Sequence, residues 1–428
     1  MELASSSDVS EIEVVSPIPV DELRPWLASL ATTFLDDSEG DNFDRMHEMW
    51  RREWELVRSW GVRANGRWVA TLATEQRTIS IPGPDGATVD LVADALTAVT
   101  VSATHRRRGL LTQMLSESLS SAKDRGEPFS ILIAAEWPIY GRYGYAPASL
   151  ASNYTLFTRA RERLLTTGDV GSVRQVDPAE LGEIAPAIHE ACRPLRAGGV
   201  DRPGDWWARR LGLKGYQPIN HGKTPNYILH ESDGRPDGLL RWAGTKEFEL
   251  NGELGAVSVA DLITATPAAY RNLWAYLAGL DVVGEVTLQR RPVDEPIRWL
   301  LADGRALRQT YTGDDLWLRL LDVPAALSAR GYCGSGRVVL DVVDDDTGGY
   351  ASGRFLLEAG DDGAECRPTT ESADLRVSHR TLASVYLGGF TLRELTIGGS
   401  VEELTPGALL RTESLFATTL PPWNATGF

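Results

Sequence analysis

The sequence has few of the residues that cross-link a chain or bind metals. Its 428 residues include only three cysteines, Cys192, Cys333 and Cys366, which lie far apart and form no CxxC pair. None of the six histidines stands at the spacing of zinc ligands. We therefore expect neither a disulfide framework nor a metal site.

Long apolar stretches are also lacking. No segment approaches the roughly 18 to 20 uninterrupted apolar residues of a membrane-spanning helix. The first residues, MELASSSDVSEIEVVSP, are acidic and polar, without the basic start and apolar run of a signal peptide. We expect a protein that has no membrane span and resides in the reducing cytoplasm.

The chain contains fewer basic than acidic residues. The chain has 43 lysines and arginines against 59 acidic residues, which gives a formal net charge of −16. Such a surface repels nucleic acid and anionic membranes and attracts cations. Acidity that only keeps the protein soluble explains the charge at least as well. The balance argues against a nucleic-acid partner and is compatible with a cationic substrate.

The length predicts several domains. A chain of 428 residues exceeds the range of about 250 to 300 residues in which a single core stops growing, so two or three domains are expected. Hydrophobic residues make up 43% and charged residues 24%, which is the composition of a globular protein. The sequence contains no internal repeat and no low-complexity block.

The clearest local pattern lies between Asp90 and Ala151. VDLVADALTAVTVSA predicts a strand with Val99 and Val101 on one face. THRRRGLL follows, and the apolar spacing after it predicts an amphipathic helix that ends at KDRGEP. FSILIAA then predicts a short buried strand.

A basic glycine loop at the start of a helix is suited to bind an anion. The first backbone amides of a helix are unpaired and the helix dipole is positive there. Gly109 has no side chain to block a close approach, and Arg106, Arg107 and Arg108 add charge. Three arginines and a glycine are commonly just a solvated basic turn, but their position between an apolar strand and a helix favours a pyrophosphate site.

The loop resembles that of a known superfamily. VTVSATHRRRGLLTQML is similar to the coenzyme A loop of the GNAT N-acetyltransferases, (Q/R)xxGx(G/A). Arg106 and Gly109 match this pattern, whereas Leu111 stands where Gly or Ala is usual. With IYGRYGYAPAS downstream, the region resembles the enhanced intracellular survival (Eis) family of aminoglycoside and amine acetyltransferases, although Ala103 replaces a proline common in that family.

The resemblance extends through the chain and implies a mixed α+β fold. GGVDRPGDWWARRL resembles the family's central domain, and DDLWLRLLDVPAALSARGY resembles the entry into its C-terminal domain. The implied domains are a GNAT domain with the acetyl-CoA site at 1–158, a GNAT-like domain without a cofactor site at 159–310, and a sterol-carrier-protein-like domain at 311–428. The sequence is compatible, since TPNYILH, GRVVLDVVD and GGYASGRFLLEAG predict strands, and TPAAYRNLWAYLAGL and RTLASVYLGGF predict helices.

Acetyl-CoA is the co-substrate that the resemblance implies, with no metal. In GNAT enzymes the strand before the loop is splayed from its neighbour, and the amide near Val99 would face the thioester carbonyl and stabilise the oxyanion. The implied cofactor-binding residues are Val99, Thr100, Val101, Arg107, Arg108, Gly109, Leu110, Leu111, Thr112, Ala135 and Glu136. Val99 and Val101 fit an ordinary core strand equally well, because the backbone would bind while the side chains pack.

The resemblance also assigns two catalytic groups. Tyr140 in IYGRYGY matches the general acid, and its pKa of about 10 would keep it protonated at neutral pH. Phe428 matches the residue whose terminal carboxylate serves as base, and the stiff ending TLPPWNATGF is consistent with docking. Without the resemblance, Tyr143 and Tyr145 are equal candidates for the acid. We interpret His105 as a structural loop residue.

An acidic run is the candidate acceptor site. FLDDSEGDNFD, from Phe34 to Asp44, contains five carboxylates. By resemblance, Asp36 is the substrate-binding aspartate and Phe34 lies beside it. Such a run is more often a solvated helix face.

Two classes of function remain. The preferred one is an acetyl-CoA-dependent N-acetyltransferase of polycationic amines such as aminoglycosides, with protein lysine acetylation as an alternative. The rival is a carrier of a lipid or other apolar ligand with a vestigial transferase site. By resemblance we expect a homo-oligomer, a hexamer. The sequence does not identify the physiological acceptor.

Overall fold

The computed structural model describes residues 12–158, 164, 170–216, 224–249, 252–343, 348–360 and 362–428. Helices and strands are both present, as the mixed α+β prediction requires. The first strands are β1 (Ile12–Val15), β2 (Ser59–Ala64), β3 (Arg67–Pro82), β4 (Thr88–Val101), β5 (Phe129–Ile133), β6 (Ala146–Pro147) and β7 (Leu150–Phe157). The first helices are α1 (Leu23–Thr33), α2 (Asp41–Glu53), α3 (Leu110–Asp124) and α4 (Trp137–Tyr140).

The central and C-terminal parts of the chain also contain both strands and helices. The central strands are β8 (Ser172–Val176), β9 (Asn226–Ser232), β10 (Arg235–Lys246), β11 (Gly255–Thr264), β12 (Val283–Arg291) and β13 (Leu307–Asp314), with α5 (Pro178–Cys192), α6 (Trp206–Leu211) and α7 (Pro267–Ala278). The last strands are β14 (Leu316–Leu320), β15 (Gly336–Val343), β16 (Gly353–Gly360), β17 (Gly363–Pro368), β18 (Leu375–Ser378) and β19 (Val401–Glu403). The last helices are α8 (Val323–Ala329), α9 (His379–Tyr386), α10 (Leu392–Ile397) and α11 (Ala408–Phe416).

The described strands form three sheets. The first has the order β1-β2-β3-β4-β5-β14-β6, the second β13-β7-β12-β11-β10-β9-β8, and the third β17-β16-β15-β18-β19. In the first sheet β14 pairs antiparallel with β5, with Leu318 opposite Ile131. In the second sheet β7 lies between β12 and β13. The second sheet is therefore formed by strands that are consecutive in the chain, β7 to β13, whereas the first sheet includes β14 from a distant part of the chain.

The sheets to which β7 and β14 belong differ from the predicted domain limits. Those limits place β7 in the first domain and β14 in the third, whereas β7 belongs to the second sheet and β14 to the first. The first limit also falls between residues 158 and 159, and the structure does not describe 159. Local sequence patterns predict that a segment is a strand but not which sheet it joins, so the limits stay a prediction.

The predicted strand, loop, helix and strand around the basic loop are confirmed. β4 spans Thr88–Val101, α3 spans Leu110–Asp124 and β5 spans Phe129–Ile133. The apolar spacing of α3 places Met114, Leu115 and other apolar side chains in the core. The strands and helices predicted from the quoted central and C-terminal segments are also present.

The core of the C-terminal part is continuous with that of the first sheet. Phe129 on β5 packs against Tyr386 on α9, with ring centroids 5.4 Å apart. The same apolar cluster contains Leu318 on β14 and Leu340 on β15. Burial of these side chains fixes the third sheet against the first.

Candidate active site

β4 and β5 separate in the middle of the first sheet. These parallel strands pair only at Asp94–Ser130 and Ala95–Ile131. β4 nevertheless continues to Val101, and no described strand pairs with its β5-facing edge beyond Ala95. A wedge-shaped gap therefore opens along residues 96–101, with unpaired backbone groups on one side.

A bulge redirects β4 at the gap. Ala98 has a φ of +53°, and the pairing of β4 with β3 shifts in register between Thr71 and Ala73. The Thr71 hydroxyl donates to the Ala98 carbonyl at 2.7 Å and lies 2.7 Å from the Thr100 hydroxyl. The buried Thr100 side chain is thus engaged within the sheet, as expected for a strand that binds through its backbone.

A buried polar network fixes the point of separation. Asp94 is fully buried, and its carboxylate lies 3.3 Å from Arg58 and 3.1 Å from Arg125. Ser130 donates to Asp94 at 3.0 Å, and Tyr145 donates to Ser130 at 2.7 Å. Burial raises the pKa of Asp94 to about 6. Sequence reasoning missed this network, because its members are distant in the chain.

The basic loop lies at the start of α3, as predicted. Gly109 precedes the helix with a φ of +78°, and Arg107 has a φ of +63°. Arg107, Arg108 and Gly109 are exposed, whereas Leu110 is buried and Leu111 is half-buried. The first backbone N–H groups of α3 therefore lie next to an exposed cationic loop.

The remaining candidate cofactor residues lie around the same gap. Thr112 is exposed on the first turn of α3, and its hydroxyl lies 3.0 Å from that of Tyr143. Ala135 and Glu136 follow β5 and are exposed. These residues and the splayed part of β4 flank the end of β5.

Tyr140 differs from its two tyrosine neighbours. The hydroxyls of Tyr143 and Tyr145 contact Thr112 and Ser130. The Tyr140 hydroxyl forms no hydrogen bond with any described residue. Tyr140 is 8% exposed, and burial, with a smaller effect of the Glu136 charge, raises its pKa to about 12.

The last residues of the chain dock on the central part. Arg202 donates to the Thr426 hydroxyl at 3.1 Å and to the Ala425 carbonyl at 2.7 Å. Trp206 donates to the Gly427 carbonyl at 3.2 Å. Thr426 is fully buried. These contacts confirm the expectation that the stiff ending is docked.

The docked end lines a cavity of about 540 Å³ between the first and central parts. Phe428 shares this cavity with Trp50 on α2, Thr97 on β4 and Trp206 on α6. Thr97 precedes Val99 by two residues, so the cavity reaches the splayed strand. Tyr140 is not among the described residues that line it.

The predicted acceptor residues lie elsewhere. Phe34 and Asp36 are in the loop between α1 and α2, where Phe34 is 51% exposed and Asp36 is also exposed. Neither lines the cavity among its described residues. Sequence reasoning missed Trp206, Arg209 and Arg210, although WWARRL carried the signal of an aromatic and basic helix.

Other site types find little support among the described residues. No cluster of three or more His, Cys, Asp or Glu side chains there is arranged to hold a metal ion. In the same parts of the chain, no helix combines the length and apolar character needed to traverse a bilayer.

Family models match three parts of the chain. An acetyltransferase (GNAT) domain model matches residues 15–148, a second GNAT domain model matches 198–320, and a sterol carrier protein domain model matches 323–425. The fold and the splayed-strand site thus define the class, an N-acetyltransferase of the GNAT type.

Relatives that match most of the chain identify the family within this class. An uncharacterized N-acetyltransferase of Streptomyces griseus is 39% identical over 419 residues, covering 96% of this chain and 98% of the relative. The N-acetyltransferase Eis of Mycobacterium bovis is 34% identical over 357 residues, covering 82% and 83%. Eis1 of Mycobacterium abscessus superposes with a TM-score of 0.82 at 29% identity, covering 97% and 100%. This chain belongs to the Eis family of N-acetyltransferases.

Proposed function

We propose that this protein transfers an acetyl group from acetyl-CoA directly to an amino group. The observation that carries the proposal is the separation of β4 from β5 beyond Ala95, next to the exposed loop that starts α3. A strand edge with unpaired backbone groups suits an extended amide-bearing arm, and a helix N-terminus suits a pyrophosphate. Acetyl-CoA carries both, and it supplies the activated acetyl thioester.

The roles of the cofactor-binding residues follow from their positions. The backbone of Val99, Thr100 and Val101 would bind the pantetheine arm, and the amide of Val99 would polarise the thioester carbonyl. The residues at 107–112 would bind the phosphates, with charge from Arg107 and Arg108. Ala135 and Glu136 would flank the other side of the gap. The position of these residues around one gap, with Arg107, Arg108, Gly109, Thr112, Ala135 and Glu136 exposed, supports these roles.

Tyr140 is proposed as the general acid. The departing thiolate gains from a proton donor, and a phenol whose pKa is raised to about 12 stays protonated through the physiological range. Its hydroxyl has no hydrogen bond to any described residue, unlike those of Tyr143 and Tyr145.

The terminal carboxylate of Phe428 is proposed to receive the acceptor amine. Its support is the docking of Thr426 and Gly427, and the absence of any described residue that hydrogen bonds or ion pairs with the carboxylate. An α-carboxylate with an ordinary pKa of about 3.3 to 3.7 is a weak base. It would act through water or as a counter-charge to the ammonium.

The finer assignments rest on family resemblance. They are aminoglycosides or other polycationic amines as acceptors, with Asp36 and Phe34 as acceptor contacts, a hexameric assembly and a cytoplasmic location. The carrier alternative has less support, because Tyr386 in the C-terminal part packs against Phe129 in a core that is shared with the first sheet.

Thermal unfolding with acetyl-CoA tests this function. Saturating acetyl-CoA, at about 100 times its Kd, stabilises the folded state by about 2.7 kcal/mol, so the melting temperature should rise by several degrees. Gly109→Ala should lose this rise, because a side chain would stand at the phosphate approach. An absent rise in the unmodified protein would refute the proposal.

Gly126→Ala is the matched control. Gly126 lies beyond the other end of α3, has the same φ of +78°, and has no atom within 4 Å of an added Cβ, as is true of Gly109. Both substitutions carry a similar backbone strain of roughly 1 to 2 kcal/mol. Gly126→Ala should therefore lower the starting melting temperature equally but keep the acetyl-CoA-dependent rise.

A further inference from the structure

Two threonine hydroxyls lie beside the backbone that is proposed to meet the thioester. Thr71 on β3 is paired with Thr100 on β4. Thr71 is fully buried, and Thr100 is 4% exposed. A buried hydroxyl needs a hydrogen-bond partner, because leaving it without one costs free energy. The partners of these two hydroxyls are therefore part of what determines the local structure of β4.

The strand β4 is bulged at this point. From the pair Thr71–Thr100 to the pair Ala73–Thr97, two residue steps on β3 correspond to three on β4. Ala98 lies within the longer stretch and has a φ of +53°. A residue other than glycine is strained in this left-handed region, and the conformation persists only where neighbouring contacts hold it. A specific contact at Ala98 is therefore expected.

The Thr71 hydroxyl supplies that contact. It donates to the Ala98 carbonyl at 2.7 Å, and its oxygen lies 2.7 Å from the Thr100 hydroxyl. A hydroxyl has one hydrogen to donate and can also accept. Since Thr71 gives its hydrogen to Ala98, the Thr100 hydroxyl is the donor to Thr71. The two hydroxyls and the carbonyl form a chain in which each hydrogen bond strengthens the next.

The Ala98 carbonyl shares a peptide unit with the Val99 N–H. This peptide bond is trans, since the one cis bond among the described residues is Ser16–Pro17. In a planar trans peptide the C=O and N–H bonds point in opposite directions. The carbonyl faces Thr71 on β3. The Val99 N–H therefore points away from β3, towards the side on which β5 separates from β4.

The hydrogen bond at the carbonyl has two effects on this amide. It prevents the peptide unit from rotating, so the N–H keeps its direction before any ligand binds. It also polarises the amide, because hydrogen bonds along a chain polarise one another. Both effects favour catalysis, since a donor that is aligned in advance needs no reorganisation when charge develops.

The direction of the Val99 amide depends on this one side chain. Among the described residues, no other side chain hydrogen bonds to the Ala98–Val99 peptide. The nearby buried Asp94 accepts hydrogen bonds from Ser130 and from arginines, and not from residues 98 and 99. Loss of the Thr71 hydroxyl would therefore leave the peptide without a replacement partner in this part of the sheet.

We propose that Thr71 is a positioning residue for acetyl transfer, whose hydroxyl holds the Ala98–Val99 peptide so that the Val99 N–H meets the thioester carbonyl. The proposal rests on the proposed function and adds a residue on which that function depends. Thr71 is fully buried and acts only through the peptide. The Thr100 hydroxyl supports it by donating to Thr71.

The step that Thr71 assists is the addition of the amine to the thioester. The amine nitrogen forms a bond to the carbonyl carbon, and an electron pair of the C=O bond moves to the oxygen, where the Val99 N–H stabilises the negative charge. When the C=O bond forms again, the C–S bond breaks and the sulfur takes a proton from Tyr140, which solvent then restores. The nitrogen loses its proton to water near the Phe428 carboxylate.

Thr71→Val tests the proposal in the full-length protein with acetyl-CoA labelled with ¹³C at the acetyl carbonyl. Infrared difference spectra against unlabelled acetyl-CoA isolate the stretching band of the bound thioester without any turnover. A hydrogen bond from Val99 lowers this frequency, so the band should shift upward in Thr71→Val. With saturating acetyl-CoA and kanamycin as the acceptor, kcat should fall by about tenfold or more, which is part of the roughly 10²- to 10³-fold that one oxyanion donor contributes.

Two more substitutions at this position separate the hydroxyl from the packing of the side chain. Thr71→Ser keeps the hydroxyl, so it should keep the band position and most of kcat. Thr71→Ala removes the hydroxyl without placing a second methyl group beside the carbonyl, and it should resemble Thr71→Val. The acetyl-CoA-dependent rise in melting temperature shows which variants fold and bind, and it should persist in all three.

Thr158→Val is the matched control. Thr158 is buried directly after β7 in the second sheet, and its hydroxyl donates to the Val283 carbonyl at the start of β12. The substitution removes the same kind of hydrogen bond, from a buried threonine to a strand carbonyl, outside the sheet that contains the gap. It should lower the melting temperature as Thr71→Val does and leave the infrared band and kcat unchanged.

The proposal is overturned if the band keeps its frequency in both Thr71→Val and Thr71→Ala, or if their kcat values do not fall below that of Thr158→Val. A band shift of equal size in Thr158→Val also overturns it, since a purely structural effect would then explain the result. Failure of the proposed function looks different, because acetyl-CoA would then not stabilise even the unmodified protein.

Discussion

Three tyrosines are equal candidates for the general acid in the local sequence, and the hydrogen bonds of their hydroxyl groups distinguish them in the structure. Tyr140, Tyr143 and Tyr145 occur within six residues of IYGRYGY, and only family resemblance selects Tyr140 in the sequence. In the structure Tyr143 contacts Thr112 and Tyr145 donates to Ser130, so both hydroxyls are engaged. Whether a tyrosine hydroxyl has a hydrogen-bond partner among the described residues depends on side chains from other elements, such as Thr112 and Ser130. The local sequence does not predict these contacts.

Replacing Tyr140 tests the acid at this scale. Tyr140→Phe should lower kcat by about 10²- to 10³-fold, since general acid catalysis contributes this much, while acetyl-CoA still stabilises the protein. The pKa of Tyr140 is raised, so its protonated form persists up to about pH 12. This group should therefore cause no fall in kcat between pH 6 and 10, and rates measured across that range check both points.

Tyr145→Phe is the control for the acid. Its hydroxyl is bonded to Ser130 in the buried network, so the variant should lose about 1 kcal/mol of stability and keep its kcat. Equal kcat values for Tyr140→Phe and the unmodified protein would exclude Tyr140 as the acid.

At the scale of elements, strands and helices are predictable but their partners are not. The period-two and helical spacings predict β4, α3 and β5, and each is present. Nothing local in β7 indicates that it belongs to the second sheet and not the first, and nothing local in β14 indicates that it joins the first sheet, which is formed mainly by a distant part of the chain. The cavity that Phe428 lines was missed for the same reason, because α6, β10, β11 and β12 each contribute only part of its lining.

Docking of the terminal segment should depend on the Thr426 hydroxyl. Thr426→Val removes the hydrogen bonds of the hydroxyl with Arg202 and Val200, so the tail should loosen. We expect a loss of about 1 to 2 kcal/mol in stability and a several-fold lower kcat, with acetyl-CoA binding retained. Urea unfolding and steady-state rates measure these effects.

Thr419→Val controls for substitution within the same segment. Thr419 is exposed and forms no hydrogen bond through its side chain with a described residue, so both quantities should stay near those of the unmodified protein. If the Thr426→Val protein kept its full kcat despite its lower stability, docking of the tail would not be required for catalysis.

For the whole molecule, the continuous core links the C-terminal part to the transferase sheet. Phe129 contacts Tyr386, and both are fully buried. Phe129→Ala should destabilise the protein by about 3 to 5 kcal/mol and shift the unfolding of both parts together. Calorimetry should detect one shifted transition, whereas a transition of the C-terminal part that stays in place would contradict a shared core.

The central claim at this scale is that the end of the chain completes a site built by the first sheet. The most direct measurement is kcat of full-length protein in which the Phe428 carboxylate is converted to an amide, which removes the charge and keeps every side chain. The account predicts a fall of about 10²-fold or more with unchanged stabilisation by acetyl-CoA. An amidated protein with the kcat of the unmodified enzyme would contradict it.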